Sequence, residues 1–184
     1  MFQEKGERFV MKKLIVLTLT LAGLTIGGLA AVVPALAGDG SLPPELQEVR
    51  SAVARYHSFA QAERDGYTVH MEPCVASPAG TMGIHAINPA LMADDAIDVD
   101  QPEILLYVPK ANGNLELVGV EYWKRDADQN LGTNGDLPSL LGRAFEGPMP
   151  GHSPVMPVHY DMHVWVAEEN PSGVFALFNP AVSC

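Results

Sequence analysis

Four histidines carry the chemistry that this sequence offers. His152, His159 and His163 fall within twelve residues, and His85 stands alone in an apolar segment. In the run His159-Tyr160-Asp161-Met162-His163-Val164-Trp165, side chains on an extended strand alternate, so His159, Asp161, His163 and Trp165 share one face. Residues four apart on a strand are separated by about 13 Å. His159 and His163 can share one metal ion only across a bend, and the economical site takes one of them. Asp161 or a neighbouring strand would supply the rest.

Two carboxylates interrupt apolar runs, Glu103 in Pro-Glu-Ile-Leu-Leu-Tyr and Glu121 in Val-Gly-Val-Glu-Tyr-Trp. Buried there, each needs a partner. The intervening Asn112-Gly113 is a hairpin signal. A two-residue turn at that point pairs Leu105 with Val120 and Glu103 with Tyr122, and directs Glu103 and Glu121 to opposite faces. A three-residue loop would set the two glutamates side by side. The two-residue turn is the expectation, with Glu121 pointing inward and Gly119 leaving room beside it.

The candidate constellation is therefore His85, Glu121 and His163, completed by His159 or Asp161. Two imidazoles, a carboxylate and an open position are the ingredients of a mononuclear zinc, iron or manganese site. The competing reading is a set of core polar groups bonded to one another or to backbone carbonyls. A second metal reading interleaves Met149, His152, Met156, His159, Met162 and His163, a soft ligand set suited to copper. His57 and His70 read as structural or surface residues. There is no Gly-x-Ser-x-Gly elbow, phosphate-binding glycine loop, His-Glu-x-x-His helix or Cys-x-x-Cys motif.

Positioning these groups requires a sheet. Short runs over Tyr67–Met71, Gly83–Asn88, Glu103–Val108, Leu115–Trp123, Val158–Ala167 and Val174–Phe178 read as strands. Upstream, Leu46, Val49, Val53, Tyr56 and Ala60 form one apolar stripe and predict a helix over 42–65. Ser41 is its cap, the prolines at 43 and 44 fill its first turn and Gly66 stops it. The acidic stretch through Asp94, Asp95, Asp98 and Asp100, and the segment Asp126–Asp136, read as surface loops. The proline-rich segment Arg143–Pro157 suits neither a helix nor a central strand, and reads as a rigid loop or a flap. The expected fold is α+β: an N-terminal helix packed on a mostly antiparallel sheet or small barrel.

Lys12 and Lys13 precede an apolar run from Leu14 to Ala37 that ends in Ala35-Leu36-Ala37, the pattern of a cleaved export signal. Met11 is a plausible true start. Removal of residues 1–37 would take four basic and two acidic residues with it. A single domain over 38–184 would remain, 147 residues of net charge −13, periplasmic or secreted and without a stable membrane anchor. Such an acidic chain is not built for nucleic acid. In an oxidising compartment its only two cysteines, Cys74 and Cys184, are expected to pair.

Taken together, Met82-Gly83-Ile84-His85, Pro102-Glu103-Ile104-Leu105-Leu106-Tyr107, Leu117-Val118-Gly119-Val120-Glu121-Tyr122, the His159–Trp165 run, Asn170-Pro171-Ser172-Gly173, Phe178-Asn179-Pro180 and Cys184 resemble a family of small exported bacterial proteins. The resemblance spans nearly all of the mature chain and implies no particular reaction. A fainter likeness, over about a quarter of the chain, is to plant oil-body-associated proteins, which carry a similar Leu-Ile-Gly-Val-Glu-Tyr strand and a downstream His-x-His. Three functional expectations follow. The first is a domain holding one divalent metal, with Glu103 or Asp161 as base if a metal-bound water reacts. The second is a non-enzymatic envelope protein with an apolar cavity lined by Tyr107, Tyr122, Trp123 and Trp165. The third is a copper-handling protein.

Overall fold

The computed structural model describes residues 42–69, 73–152 and 155–184; the expected leader, the Ser41 cap and His70 lie outside them. Three apolar runs form the middle of an antiparallel sheet because they bury both faces. They are β4 (Ile104–Pro109), β5 (Leu115–Arg125) and β9 (His159–Val164). Before them in the chain come β1 (Thr68–Val69), β2 (Val75–Ser77) and β3 (Gly80–Ile87); β6 (Ser139–Leu140), β7 (Arg143–Ala144) and β8 (Glu146–Met149) lie between β5 and β9. The main sheet runs β1-β3-β4-β5-β9-β8, with β2 also on β3, while β6 and β7 pair separately. The fold is thus a mostly antiparallel sheet with a few helices.

The helical segment is not one rod. It divides into α1 (Pro44–Val53), a 3₁₀ turn over Ala54–His57 and α2 (Phe59–Arg64). A tertiary hydrogen bond overrides helix continuity: the Tyr107 hydroxyl donates to the Tyr56 carbonyl at 2.7 Å and Ser58 turns extended. Leu46, Val49, Val53 and Tyr56 are buried as the stripe predicts, but beyond the break the buried position is Ala62, and Ala60 faces solvent. A further helix, α3 (Pro89–Asp94), precedes the expected acidic loop and ends on its first residue. Asn88 caps it by accepting from Ala90 and Leu91, with Pro89 in its first turn. That Asn-Pro signal is legible in the sequence. Among the described residues no helix is long and apolar enough to cross a membrane.

The sheet separates two apolar clusters. Leu105, Tyr107, Leu117, Val120, Tyr122, Tyr160, Met162 and Val164 are buried together with Leu46, Val49 and Val53. The other cluster gathers Ile104, Leu106, Val108, Val118, Trp123 and Trp165, with Val174 and Val182 against it. Tyr107 and Tyr122 therefore lie in a different cluster from Trp123 and Trp165, so the four aromatics expected to line one cavity do not meet.

The β4–β5 hairpin reaches its expected register by an unexpected route. Gly113 N–H donates to the Lys110 carbonyl and Lys110 N–H to that of Asn114. The loop is therefore three residues long, closed by Gly113 at φ +83°. That loop alone would slip the pairing by one residue. A bulge between Leu106 and Tyr107 cancels the slip: Tyr107 faces Leu117, Leu106 faces Gly119 and Leu105 faces Val120.

The C-terminal arm differs from expectation. Val174–Phe178 forms turns, and only Asn179 pairs, with Thr81. Buried Asn170 and Asn179 hold the arm: Asn170 Nδ2 donates to the Phe178 carbonyl and Asn179 Nδ2 to that of Glu169. These contacts use the backbone in place of a ladder. Cys74 and Cys184 form a disulfide with a Cα–Cα distance of 5.7 Å, which closes the arm onto the chain just before β2. In the proline-rich segment, Glu146–Met149 is an edge strand on β9 with a register shift, the position a proline tolerates.

Candidate metal centre

Register places the site. Glu121 is directly opposite both Ile104 on β4 and His163 on β9, and His85 is opposite Leu106. Directly opposed residues share a face, so His85, Glu121 and His163 all project to the side of Ile104 and Leu106, away from the Tyr107–Tyr122 cluster. They meet there. Glu121 Oε2 stands 3.3 Å from His85 Nε2 and 3.6 Å from His163 Nε2. One nitrogen or oxygen from each of the three lies within 4.8 Å of the others, close enough to ligate a single ion.

The group is enclosed. The Glu121 and His163 side chains are almost wholly buried, and that of His85 retains 12% of its exposure. Glu121 Oε2 has the His85 imidazole as its near partner, whereas His163 Nε2 is buried with no hydrogen-bond partner, an arrangement that costs about 1–3 kcal/mol unless something fills it. Burial works against the charge on Glu121, but the attraction of His163, His85 and His159 outweighs it and keeps the carboxyl below its ordinary range. Burial likewise lowers His163, against the pull of Glu121. The result is an ionised carboxylate at the centre of the group, the form that ligation requires.

Asp161 and His159 lie along the same face, but neither joins the three converging atoms. Asp161 is opposite Trp123; its Oδ1 is buried without a hydrogen-bond partner, 3.9 Å from His163 Nδ1. Burial and the nearby Glu121 and Glu146 carboxylates raise its pKa to about 8, so the carboxyl is held largely protonated at neutral pH. His159 is opposite Arg125, two pairs further along, and stacks on Trp123 with ring centroids 5.6 Å apart. A regular β9 separates it from His163 as the strand spacing requires.

Glu103 serves the fold. Its Oε2 accepts the Trp123 backbone N–H at 2.9 Å, which leaves Asp161 as the carboxylate beside the converging groups. Gly119 is needed for packing: a Cβ there would meet the Val164 carbonyl oxygen at 2.9 Å, so backbone fills the room expected for a ligand. The methionine–histidine segment divides between faces, since Met162 is buried in the cluster opposite His163. His57 and His152 are exposed.

A narrow cleft of about 10 Å³, partly open to solvent and with room for about one water, lies between Arg143, Glu146, Asp161, Met162, His163, Phe175 and Leu177. Sequence reasoning gave neither Arg143 nor Glu146 a place at the site: Glu146 arrives through the β8 edge pairing with β9, which carries no local signal, and Arg143 lies in the β6–β7 hairpin just before it. Comparison of the chain with protein-family models, with curated proteins and with solved structures finds no match.

Proposed function

We propose that this chain is an exported domain that binds one divalent metal ion through His85 Nε2, Glu121 Oε2 and His163 Nε2. One observation carries the reading: a carboxylate oxygen and two imidazole nitrogens converge in a buried place, and His163 Nε2 has no hydrogen-bond partner there. A purely structural network would align its donors and acceptors into hydrogen bonds. The donor set suits zinc, iron(II) or manganese, with a coordination position left for water or a ligand.

Export is supported by the leader-like segment over 1–37 and by the disulfide between Cys74 and Cys184, a bond typical of oxidising compartments. A bound ion would polarise a ligand or acidify a water at its open position. The protein's part is to hold Glu121 ionised between His85 and His163, and to present Asp161 beside them.

The test is metal analysis of the tag-free protein lacking residues 1–37, followed by titration with zinc, iron(II), manganese and copper(II). About one equivalent of zinc, iron or manganese per chain is expected. At a hundredfold excess over Kd, loading should raise the unfolding temperature by about 5–10 °C. Absence of both uptake and thermal shift with all four ions overturns the reading.

A further inference from the structure

The C-terminal arm is tied to both outer strands of the metal group, those of His163 and His85. Just past β9 the Trp165 backbone N–H donates to the Val174 carbonyl at 2.8 Å. The Trp165 indole, buried in the cluster on the metal face, donates to the Ala176 carbonyl at 2.6 Å. Farther along, Asn179 and Thr81 exchange both backbone hydrogen bonds, at 2.9 and 3.0 Å. Thr81 stands on β3, four residues before His85.

Side chains of the arm fill the space between these ties. Phe175 and Leu177 wall the narrow cleft whose other side includes Asp161 and His163, and Val182 packs on the cluster of Ile104, Leu106 and Trp123. That cleft has room for about one water, less than a divalent ion needs with its hydration shell. An ion passing there requires the wall to move.

The noncovalent hold on that wall is slight. Among the described residues the arm has one backbone bridge to the sheet, and Val174, Phe175, Leu177 and Val182 are only half-buried. Segments with few buried contacts and little ladder pairing open at low cost. The covalent hold is at the end: exposed Cys184 is bonded to half-buried Cys74, just before β2, which itself pairs with β3. A tethered end returns to its seat at a high effective concentration.

We propose that the C-terminal arm is the cover of the metal group and that the Cys74–Cys184 disulfide latches it, so that the ion exchanges slowly while the bond is intact and quickly once it is opened. This rests on the metal reading of His85, Glu121 and His163. A dithiol opens the latch by exchange. Its first thiolate attacks one cysteine sulfur and displaces the other as thiolate; its second thiol resolves the mixed disulfide, leaving two cysteine thiols here and one disulfide on the reductant. Neither cysteine is a ligand, so opening changes access and keeps the donor set.

The test follows zinc release from the loaded protein lacking residues 1–37 into an excess of a chromophoric chelator. Three forms are compared: disulfide intact, reduced with tris(2-carboxyethyl)phosphine (a dithiol would itself bind zinc), and Cys74→Ser with Cys184→Ser. Release should be about tenfold or more faster in both opened forms. The Trp165 indole N–H should also exchange faster with solvent, since its acceptor lies on the arm. Leu46→Ala controls for general loss of stability, because Leu46 is buried on α1 in the opposite cluster. It should lower the unfolding temperature and keep zinc release within about twofold of the wild type. If the protein takes up no zinc, the metal reading fails and the latch falls with it. If zinc binds but the opened forms release it no faster, or Leu46→Ala speeds release as much as they do, the latch alone is overturned.

Discussion

Glu121 and His163 occupy the same rung of the β5–β9 ladder, with Glu121 Oε2 3.6 Å from His163 Nε2. The rung is set by main-chain pairing rather than by loop contacts, so its geometry is as rigid as the middle of the sheet. Three strands contribute one donor each, and a shift of one residue in any of them would turn its donor to the opposite cluster.

Replacement of Glu121 by Gln tests that arrangement directly. The amide keeps the shape and removes the charge that a divalent ion needs. Zinc affinity should fall by about a hundredfold or more, and the zinc-induced thermal shift should disappear, while the metal-free protein stays folded. In the wild type, binding should weaken as pH falls and protons compete for the imidazoles. Burial lowers His163, so that loss should begin at lower pH than for an exposed histidine. An unchanged zinc isotherm in Glu121→Gln would show that the ion sits elsewhere.

Gly83 stands two residues before His85 at φ +108°, and a Cβ there would meet the Tyr107 carbonyl oxygen at 2.6 Å. The clash is with backbone, at the bulge that restores the β4–β5 register, and the conformation is one that L side chains avoid. Gly83→Ala should destabilise the domain by about 3 kcal/mol or more, measured by urea unfolding. A loss below about 1 kcal/mol would mean that the β3–β4 approach is looser than described.

The metal-site donors were legible because alternation along a strand is strict. His85, Glu121 and His163 follow from three strand assignments and one register, Leu105 opposite Val120. The turn behind that register was not legible. Asn112-Gly113 is compatible with either a two- or a three-residue loop, and the compensating bulge at Leu106–Tyr107 has no marker in its apolar run. The break at Ser58 was hidden likewise, since it depends on a hydrogen bond from Tyr107, 51 residues downstream of its acceptor. The indole nitrogen of Trp123, buried without a hydrogen-bond partner, escaped notice because an aromatic in a core strand reads first as apolar surface.

The arm that follows β9 is held by the disulfide and two asparagines, with little regular pairing of its own. Breaking Cys74–Cys184, by Cys74→Ser with Cys184→Ser or by reduction, frees a closure spanning 110 residues. The chain-entropy account gives a loss of up to about 5 kcal/mol, or about 10 °C or more in unfolding temperature for a domain of this size. Proteolysis should then begin within the arm, after Val166. An unchanged unfolding temperature under reducing conditions would show that Asn170 and Asn179 suffice.

Glu103 gives the domain a pH dependence of its own. Burial raises its carboxyl to about 8, against the lowering effect of the Trp123 N–H, with Asp94 and Glu121 adding to the rise. The unfolded chain releases this proton near the ordinary value of 4.5. Between those two points the folded state holds a proton that the unfolded state has lost, so stability falls as pH rises. The slope approaches about 1.4 kcal/mol per pH unit, with a ceiling of about 5 kcal/mol across the window. Glu103→Gln keeps an oxygen for the Trp123 N–H and has nothing to titrate. It should match the wild type at about pH 5 and exceed it increasingly toward pH 8, as measured by urea unfolding across that range. Parallel profiles for the two proteins would mean that Glu103 ionises at its ordinary value within the fold, and that its environment is wetter than its burial implies.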